Sequence, residues 1–259
     1  MASHFIYPGY ERPMEPGEWG SSEKIKERVA LVARVLAKGG IIPWVFGNCS
    51  ARIPGGSKVY MMSHAHWAGK ILQELTADDI HMVDTNGNPL DCDFIDLNEE
   101  ILLHIEVYKA RPDVGGFIFG HPKMSCAFAE AGRDTLTLWG EKVPIIEGAE
   151  IMEQRSIAER GRKVAEKMSK ANALVWNYGA IVLGKSIEEA CVNAFALEWE
   201  AERQLFLTIL GVKSPKPVSF MPPVEDQAAF RSKLGFQWFE AMDPFVNKVD
   251  GRLFWHSGL

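Results

Sequence analysis

The chain has 259 residues, 47% hydrophobic and 24% charged, a globular mixture that excludes long disorder, collagen-like repeats and coiled coil. A formal net charge of -6 argues against nucleic acid as a partner, and no apolar run approaches the ~18 residues of a membrane span. The four cysteines are widely spaced without a C-x-x-C pair, so we expect no disulfide framework and a reduced, cytoplasmic location.

The first predicted element is an amphipathic helix. Its apolar residues recur with a 4-3-4 spacing, which places them on one face: Ile25, Val29, Val32 and Leu36. The pattern predicts a helix over 23–38, which Ser21 or Ser22 can cap and which Gly39-Gly40 ends. A strand is expected over 58–63.

The next segment combines a strand with a tight turn. A short helical turn is expected after Thr76, followed by a strand over 80–83, and Asn86-Gly87 is typical of a hairpin. A helix then runs to residue 110, with Asp96 or Asn98 as its cap. Its first turn contains Glu99 and Glu100, where the helix dipole favours acidic residues.

The second half alternates strands and helices. A strand is predicted over 114–121, and Pro122 begins a helix that runs to residue 131. Two longer helices are expected over 151–170 and 187–210, separated by two strands that meet at a turn over 177–179. We interpret the charges of the first long helix as a solvated face.

Six segments, taken in order, resemble a known family: GNCSARI at 47–53, LTADDIHMVDTNG at 75–87, NEEILLHIEVYKARPDV at 98–114, GHP at 120–122, NYGAIVLG at 177–184 and SIEEACVNAFALEWEA at 186–201. Together they resemble the class II aldolase/adducin family over about residues 25–210. The resemblance implies an α/β fold, a three-layer α/β/α domain with a central, largely antiparallel sheet. It also implies a homotetramer with active sites between subunits and a small-molecule substrate. Enzymes of the family are typically divalent-metal lyases, epimerases or decarboxylases, whereas adducin's head domain keeps the fold without the chemistry.

Three regions follow from this resemblance. Residues 1–22 form an N-terminal arm, and residues 23–211 form the class II aldolase/adducin-like domain. Residues 212–259 form an aromatic C-terminal extension with a short helix near 226–242. The extension packs either on the domain, as a lid, or on a neighbouring subunit.

The resemblance also indicates a depleted metal site. Metal-dependent members supply two histidines from H-x-H-P, a third from N-H-G and an acid/base glutamate from S-S-E. The matching positions here are Phe119, His121, Tyr178 and Glu100, so two of the three histidines are replaced. No metal is assigned, because phenylalanine offers no ligand. If a divalent ion such as Zn, Mn or Fe binds, His121 and Glu100 are the expected ligands.

Four residues are the catalytic candidates. Glu100 and His104 are one helical turn apart, so their side chains can meet as an acid/base pair, or simply form a surface pair. His121 shares a strand face with Phe119, and it serves either the pocket or the core, bonded to a backbone carbonyl. Tyr178 can donate a hydrogen bond or a proton, or pack in its turn.

The expected substrate-binding residues surround the same positions: Phe46, Asn48, Ser63, His64, Trp67 and Phe119. Asn48 can present its amide to a carboxylate or carbonyl, or form a turn. His64 and His66 can supply replacement metal ligands, or lie in a solvated loop. The aromatic residues, with Trp44, flank the loops that would line the cleft, which indicates an aromatic-lined pocket in place of a metal site.

These residues predict a carbon–carbon lyase, a decarboxylase or retro-aldol-type enzyme acting on a small aromatic or apolar carboxylate. A phosphosugar is not expected, because Asn98 and Glu99 replace phosphate-binding serines and a carboxylate repels phosphate. One alternative is a non-haem iron oxygenase, with iron held by His121, Glu100 and either His104 or His64. Another is a non-catalytic, adducin-like interaction module, which predicts no enclosed pocket.

Overall fold

A computed structural model describes residues 21–43, 46–53, 56–63, 70–93 and 98–212. The predicted N-terminal arm lies outside these ranges apart from its last two residues, and so does the C-terminal extension apart from its first. Four predicted pocket or loop residues also lie outside the described residues: Trp44, His64, His66 and Trp67.

The core of the fold is a sheet of six antiparallel strands. The strands in chain order are β1 (Asn48–Arg52), β2 (Lys58–Met62), β3 (Ile80–Asp84), β4 (Gly116–Gly120), β5 (Thr137–Leu138), β6 (Glu141–Lys142), β7 (Ala173–Trp176) and β8 (Gly179–Gly184). The main sheet has the order β3-β2-β1-β4-β8-β7, and each neighbouring pair is antiparallel. The small hairpin of β5 and β6 was not predicted.

Helices cover both faces of this sheet. They are α1 (Ser22–Lys38), α2 (Ile101–Ala110), α3 (Lys123–Glu130), α4 (Gly148–Met152), α5 (Ile157–Lys167) and α6 (Ile187–Ile209). Two short 3₁₀ turns span Leu72–Glu74 and Ala77–Asp79. None of the helices in the described ranges has the length and apolar character needed to cross a membrane.

The first helix forms for the predicted reasons. The Ser21 hydroxyl caps α1 by accepting a hydrogen bond from the backbone N–H of Lys24 at 3.4 Å. All four residues of the predicted apolar face are buried. The face packs against the sheet, and Gly39 follows the last helical residue.

Alternation along the strands divides the core into two layers. Cys49 and Ala51 of β1 face a layer formed with α1, α3 and α6. Phe117 of β4 faces the other layer, which contains residues of α2, α4 and α5. The three-layer α/β/α prediction is therefore confirmed.

Two predicted helices differ from the structure at their ends. The helix expected over 151–170 is interrupted, since α4 ends at Met152 and α5 begins at Ile157, where Ser156 and Glu159 form a capping box. The helix expected to contain Glu100 in its first turn begins one residue later, so Glu100 is its N-cap residue. The Asn98 side chain accepts a hydrogen bond from the Glu100 backbone N–H at 2.9 Å, which fixes this junction.

Candidate active site

A cavity of about 350 Å³ opens at one end of the sheet, where β1 and β8 begin and β4 and β7 end. The N-terminus of α2 and residues of α4 and α5 close its sides. Its described lining is Phe46, Gly47, Asn48, Asn98, Glu99, Glu100, Leu103, Phe119, His121, Ile151, Met152, Arg160, Trp176, Tyr178 and Ile181. The antiparallel topology thus brings together residues that are far apart in sequence.

The chain enters β1 through a close approach that only glycine allows. Gly47 has a φ of +119°, in the region that side chains rarely adopt. A Cβ atom there would lie 2.6 Å from the carbonyl oxygen of Phe119. The glycine therefore seats Asn48 directly beside β4, at the rim of the cavity.

A chain of buried hydrogen bonds leads from the core to Glu100. Tyr108 and Ser50 hydroxyls lie 2.9 Å apart, and the Ser50 hydroxyl lies 2.7 Å from His104 Nδ1. His104 Nε2 lies 2.6 Å from Asn48 Oδ1, and the Asn48 amide donates to Glu100 Oε2. Because Asn48 Oδ1 can only accept, His104 Nε2 carries the proton and Nδ1 accepts from Ser50. Each partner thereby fixes the orientation of the next.

The prediction that Glu100 and His104 meet directly is therefore corrected, because the Asn48 side chain lies between them and bonds both. His104 is fully buried, and its ring stacks on Phe117 at 3.7 Å between centroids. Burial lowers the pKa of His104 to about 3, so the imidazole is neutral in this environment. His104 is absent from the described cavity lining, and this geometry makes it a residue that positions Asn48.

Glu100 itself is half-buried at the cavity wall. Burial raises the pKa of its carboxyl, and nearby Glu99 raises it further. The hydrogen bond from Asn48 and the positive charge of Arg160 oppose this shift. The result is a carboxyl with a raised pKa facing an apolar space, a combination suited to carrying a proton.

Arg52, at the far end of β1, fixes the other end of α2. Its guanidinium donates to the carbonyls of Tyr108 at 2.8 Å, Arg111 at 2.9 Å and Val114 at 2.7 Å. These carbonyls include the end of the helix, where a positive charge is favoured. Asn48 at the start of β1 therefore bonds Glu100 at the start of α2, and Arg52 at the end of β1 bonds the end of the same helix. These contacts fix α2 and hold Glu100 at the cavity wall.

Aromatic rings form much of the cavity wall. Phe119 stacks with Trp176 at 5.6 Å between centroids and contacts His121 at 5.1 Å. The His121 ring stacks with that of Tyr178 at 6.0 Å, and Phe46 meets it edge-on at 6.4 Å. The prediction of an aromatic-lined pocket agrees with this arrangement.

His121 lies at the cavity and is half-buried, so it is not the core histidine that the sequence offered as an alternative, although it does bond a backbone carbonyl. Its Nδ1 bonds the backbone carbonyl of Tyr178, and its ring lines the cavity. Because a carbonyl can only accept, Nδ1 carries the proton. Nε2 is therefore the nitrogen of His121 that can meet a ligand.

The three positions where the family places metal-binding histidines do lie together in the wall, but they provide a single imidazole. Phe119 has no ligand atom, and Tyr178 offers a phenol in place of a nitrogen. Both ring nitrogens of His104 are occupied by Ser50 and Asn48, so His104 is not available as the third ligand of an iron site. The described residues do not fit the family's three-histidine metal site.

A different group of potential ligands lies away from the described cavity lining. His81, Asp91 and Cys92 place their ligand atoms within 4.8 Å of one another. Asp91 already pairs with Lys26 at 2.6 Å and accepts from the backbone N–H of Met82 at 2.6 Å. These contacts account for both carboxylate oxygens of Asp91.

Only some of the predicted substrate-binding residues belong to the described cavity lining. Among them, Phe46, Asn48 and Phe119 line the cavity. Ser63 is buried beyond β2, where its backbone N–H bonds the carbonyl of Asp79 at 2.8 Å, and it is not part of the described lining. His64 and Trp67 lie outside the described residues.

Sequence reasoning missed two polar members of the lining. Arg160 of α5 belongs to the helix whose charges were interpreted as solvated, and the structure corrects this for Arg160. Trp176, at the end of β7, was assigned only to a strand. The capping box at Ser156 and Glu159 was the available signal for Arg160, because it places the residue in the first turns of a new helix.

The fold and this cavity define a three-layer α/β/α domain with a pocket at the end of an antiparallel sheet. The family model "Class II Aldolase and Adducin N-terminal domain" matches residues 27–205. The chain belongs to this family, which confirms the resemblance found in the sequence.

Individual relatives agree with this membership. The chain is 28% identical to "3,4-dihydroxyphthalate decarboxylase" of Arthrobacter keyseri over 200 residues, which are 72% of this chain and 79% of that protein. The structure of L-fuculose 1-phosphate aldolase from Glaciozyma antarctica PI12 superposes with a TM-score of 0.66 and 18% identity, covering 94% of this chain and 98% of that one. An aldolase II superfamily protein from Pseudomonas syringae also gives 0.66, with 17% identity and coverage of 88% and 93%. At these identities the solved structures establish the fold.

Proposed function

We propose that this protein is a carbon–carbon lyase, a decarboxylase of small hydroxylated aromatic acids. The observation that carries the proposal is Glu100, a half-buried carboxyl with a raised pKa at the wall of an aromatic cavity. A cavity of about 350 Å³ suits a single-ring acid, and flat rings such as Phe119 and Trp176 match an aromatic face. The name of the Arthrobacter keyseri relative, a decarboxylase of a dihydroxylated aromatic acid, supports the same class.

The proposed reaction uses Glu100 as the acid. Its proton is delivered to the ring carbon that carries the departing carboxylate, and a ring electron pair forms the new C–H bond. The pair of the breaking C–C bond then returns to the ring, CO₂ leaves, and the Glu100 carboxylate regains a proton from water. Such proton transfer by a positioned side chain contributes roughly 10²–10⁴-fold to a rate.

The substrate hydroxyl and the rest of the wall assist this step. A ring hydroxyl supplies electron density to the protonated ring, which replaces the charge stabilisation that a Lewis acid would supply. His121 Nε2 is placed to accept a hydrogen bond from that hydroxyl, and the Tyr178 hydroxyl can donate to a second oxygen. The apolar side chains of Leu103 and Ile181 surround the departing carboxylate with a surface that stabilises neutral CO₂ better than an anion.

In this proposal His104 does not move a proton. It holds Asn48, and Asn48 holds the Glu100 carboxyl at one oxygen so that the other oxygen can face the ring. The earlier hypothesis of a Glu100–His104 acid/base pair is replaced by this positioning role.

The rival functions have weaker support. An interaction module without chemistry predicts no enclosed pocket, whereas the described residues form a cavity. An iron oxygenase needs a third ligand beside His121 and Glu100, and His104 is committed to Ser50 and Asn48. The other candidate ligand, His64, lies outside the described residues.

The test is CO₂ release from a panel of hydroxylated aromatic acids, with 3,4-dihydroxyphthalate first and benzoate as the unactivated control. We expect Glu100→Gln to lower turnover at least ~10²-fold. The matched control is Glu106→Gln, a carboxylate on the same helix that pairs with Lys109 at 3.1 Å away from the cavity lining. Full turnover by Glu100→Gln would refute the assignment. Elemental analysis of the same preparation tests whether activity follows a bound metal.

Assembly and location belong to the same proposal. The family resemblance favours a homotetramer, and the composition favours the cytoplasm. Light scattering of the full chain measures the assembly directly.

A further inference from the structure

Two buried donors, which belong to residues that line the cavity, have no hydrogen-bond partner among the described residues. They are Nε of Arg160 and the indole Nε1 of Trp176. Both residues belong to the cavity lining, and they come from different elements, α5 and β7. Leaving a buried donor unpaired is unfavourable by about 1–3 kcal/mol, so a ligand that supplied acceptors to these two donors would relieve that cost.

Arg160 is the only lysine or arginine among the described lining residues. It makes one long hydrogen bond, from Nη2 to the carbonyl of Met152 at 3.4 Å, and no ion pair with any described carboxylate. Its positive charge nevertheless lowers the pKa of Glu100 and so opposes the rise that burial causes. A guanidinium has five N–H donors, and the described residues accept a hydrogen bond from only one nitrogen of Arg160, so its other donors remain for a ligand.

Trp176 is a tightly packed residue of the cavity lining. The residue is 2% exposed, and its ring stacks on Phe119 and meets Tyr178 edge-on at 5.8 Å. Gly179 packs against the ring, since a Cβ there would lie 2.4 Å from its Cζ2. The indole cannot turn to find another acceptor without disturbing this packing.

We propose that Arg160 and Trp176 form a carboxylate-binding subsite, and that the carboxylate they hold is one that the substrate keeps. This inference rests on the proposed function, because it describes the same cavity. A guanidinium that bound the departing carboxylate would stabilise the ground state and lose its partner as neutral CO₂ forms. The substrate class is therefore an aromatic acid with two carboxylates, one bound at the subsite and one lost.

Binding at the subsite also prepares the acid. The positive charge of Arg160 lowers the pKa of Glu100 in the empty cavity. A bound carboxylate neutralises that charge, so the pKa of Glu100 rises and the protonated form becomes more populated. The retained carboxylate thus favours the protonation state that the reaction requires.

The test measures binding without turnover, using benzoate and benzamide, which have nearly the same shape and differ in charge. Ligand-observed NMR titration of the full chain should show benzoate binding at least ~10-fold tighter than benzamide. Arg160→Gln should abolish this preference, and Arg160→Lys should keep part of it. The matched control is Arg162→Gln, since Arg162 lies on the same helix with its side chain 58% exposed and should leave the preference unchanged.

Trp176→Phe provides a second, independent variant, because it removes the N–H and keeps an aromatic ring. We expect it to weaken benzoate binding about 3- to 10-fold. Equal binding of benzoate and benzamide by the unaltered protein would overturn the proposal, as would an unchanged preference in Arg160→Gln or an equal loss in Arg162→Gln. If Arg160→Gln does not fold, Arg160→Lys and Trp176→Phe decide the question.

The outcomes separate this inference from the proposed function. A charge preference that depends on Arg160, without CO₂ release from any acid, would support the subsite and refute the decarboxylase. CO₂ release without the preference would refute the subsite alone. For a dicarboxylate substrate, Arg160→Gln should raise KM at least ~10-fold with a smaller change in kcat.

Discussion

The neutral state of His104 gives a prediction that the structure makes quantitative. Its ring is fully buried against Phe117, and its nitrogens are occupied by Ser50 and Asn48. Protonation would place a charge in the core. It would also reverse the hydrogen bond with Ser50, because Nδ1, which now accepts, would have to donate. We therefore expect His104 to remain neutral while the protein is folded.

The sign and size of the effect follow from the two pKa values. Burial lowers the pKa of His104 to about 3, against 6.5 in the unfolded chain. The unfolded chain therefore gains a proton below pH 6.5 that the folded protein does not, and folding stability falls as the pH falls. Integrated from pH 7 to pH 5, this single group reduces the free energy of unfolding by about 2 kcal/mol.

The assay is urea unfolding at pH 7 and pH 5, for the unaltered protein and for His104→Gln, which cannot titrate. All other titrating groups are shared, so the stability difference between the two proteins should shrink by about 2 kcal/mol on going to pH 5. In the folded protein, the labelled His104 ring should show no NMR titration between pH 8 and pH 5. A midpoint near 6.5, or a pH-independent stability difference, would contradict the buried neutral imidazole.

Three further perturbations test other parts of the structure. Arg52→Lys should lower the free energy of unfolding, measured in urea, by about 2 kcal/mol, because one ammonium cannot reach the three carbonyls that the guanidinium binds. The control is Arg162→Lys at an exposed position, which should lower it by less than about 0.5 kcal/mol. Gly116→Ala should cost about 3 kcal/mol by the same measurement, because its Cβ would lie 2.3 Å from a backbone oxygen at the start of α6. In Arg160→Gln the pKa of Glu100 should rise, so the loss of activity towards alkaline pH should move to higher pH in a pH–rate profile; no movement would remove Arg160 from the electrostatics of the site.

Local pattern predicted some elements well and others poorly. The apolar face of α1 was legible because one side of that helix is solvated. Strand β1 was not given bounds, because it is buried along its whole length, with helices on both faces of the sheet, and shows no alternation in the sequence. Strand β8 is buried in the same way, yet it was expected as the second of the two strands that meet at the turn over 177–179. The antiparallel sheet was expected from family motifs and not from periodicity.

The candidate site divides in the same way. Glu100, His121 and Tyr178 were found because motif positions point to them, and the structure brings all three to one cavity. Arg160 and Trp176 could not be placed, because their positions depend on how α5 packs on α2 and where β7 ends. The spacing of Glu100 and His104 correctly placed their side chains on the same side of α2. It could not show that the Asn48 side chain of β1 lies between them.

The buried face of β1 has a consequence for how this protein can change over evolution. Asn48, Ser50 and Arg52 alternate along one side of the strand, and each is bonded to α2 or to the residues just after it. Replacing His104 or Asn48 alone would leave the other side chain buried without its hydrogen-bond partner, whereas replacing both together would not. Substitutions at these positions should therefore be inherited in blocks among relatives, and an isolated change at one of them should mark a protein whose pocket has acquired a different chemistry.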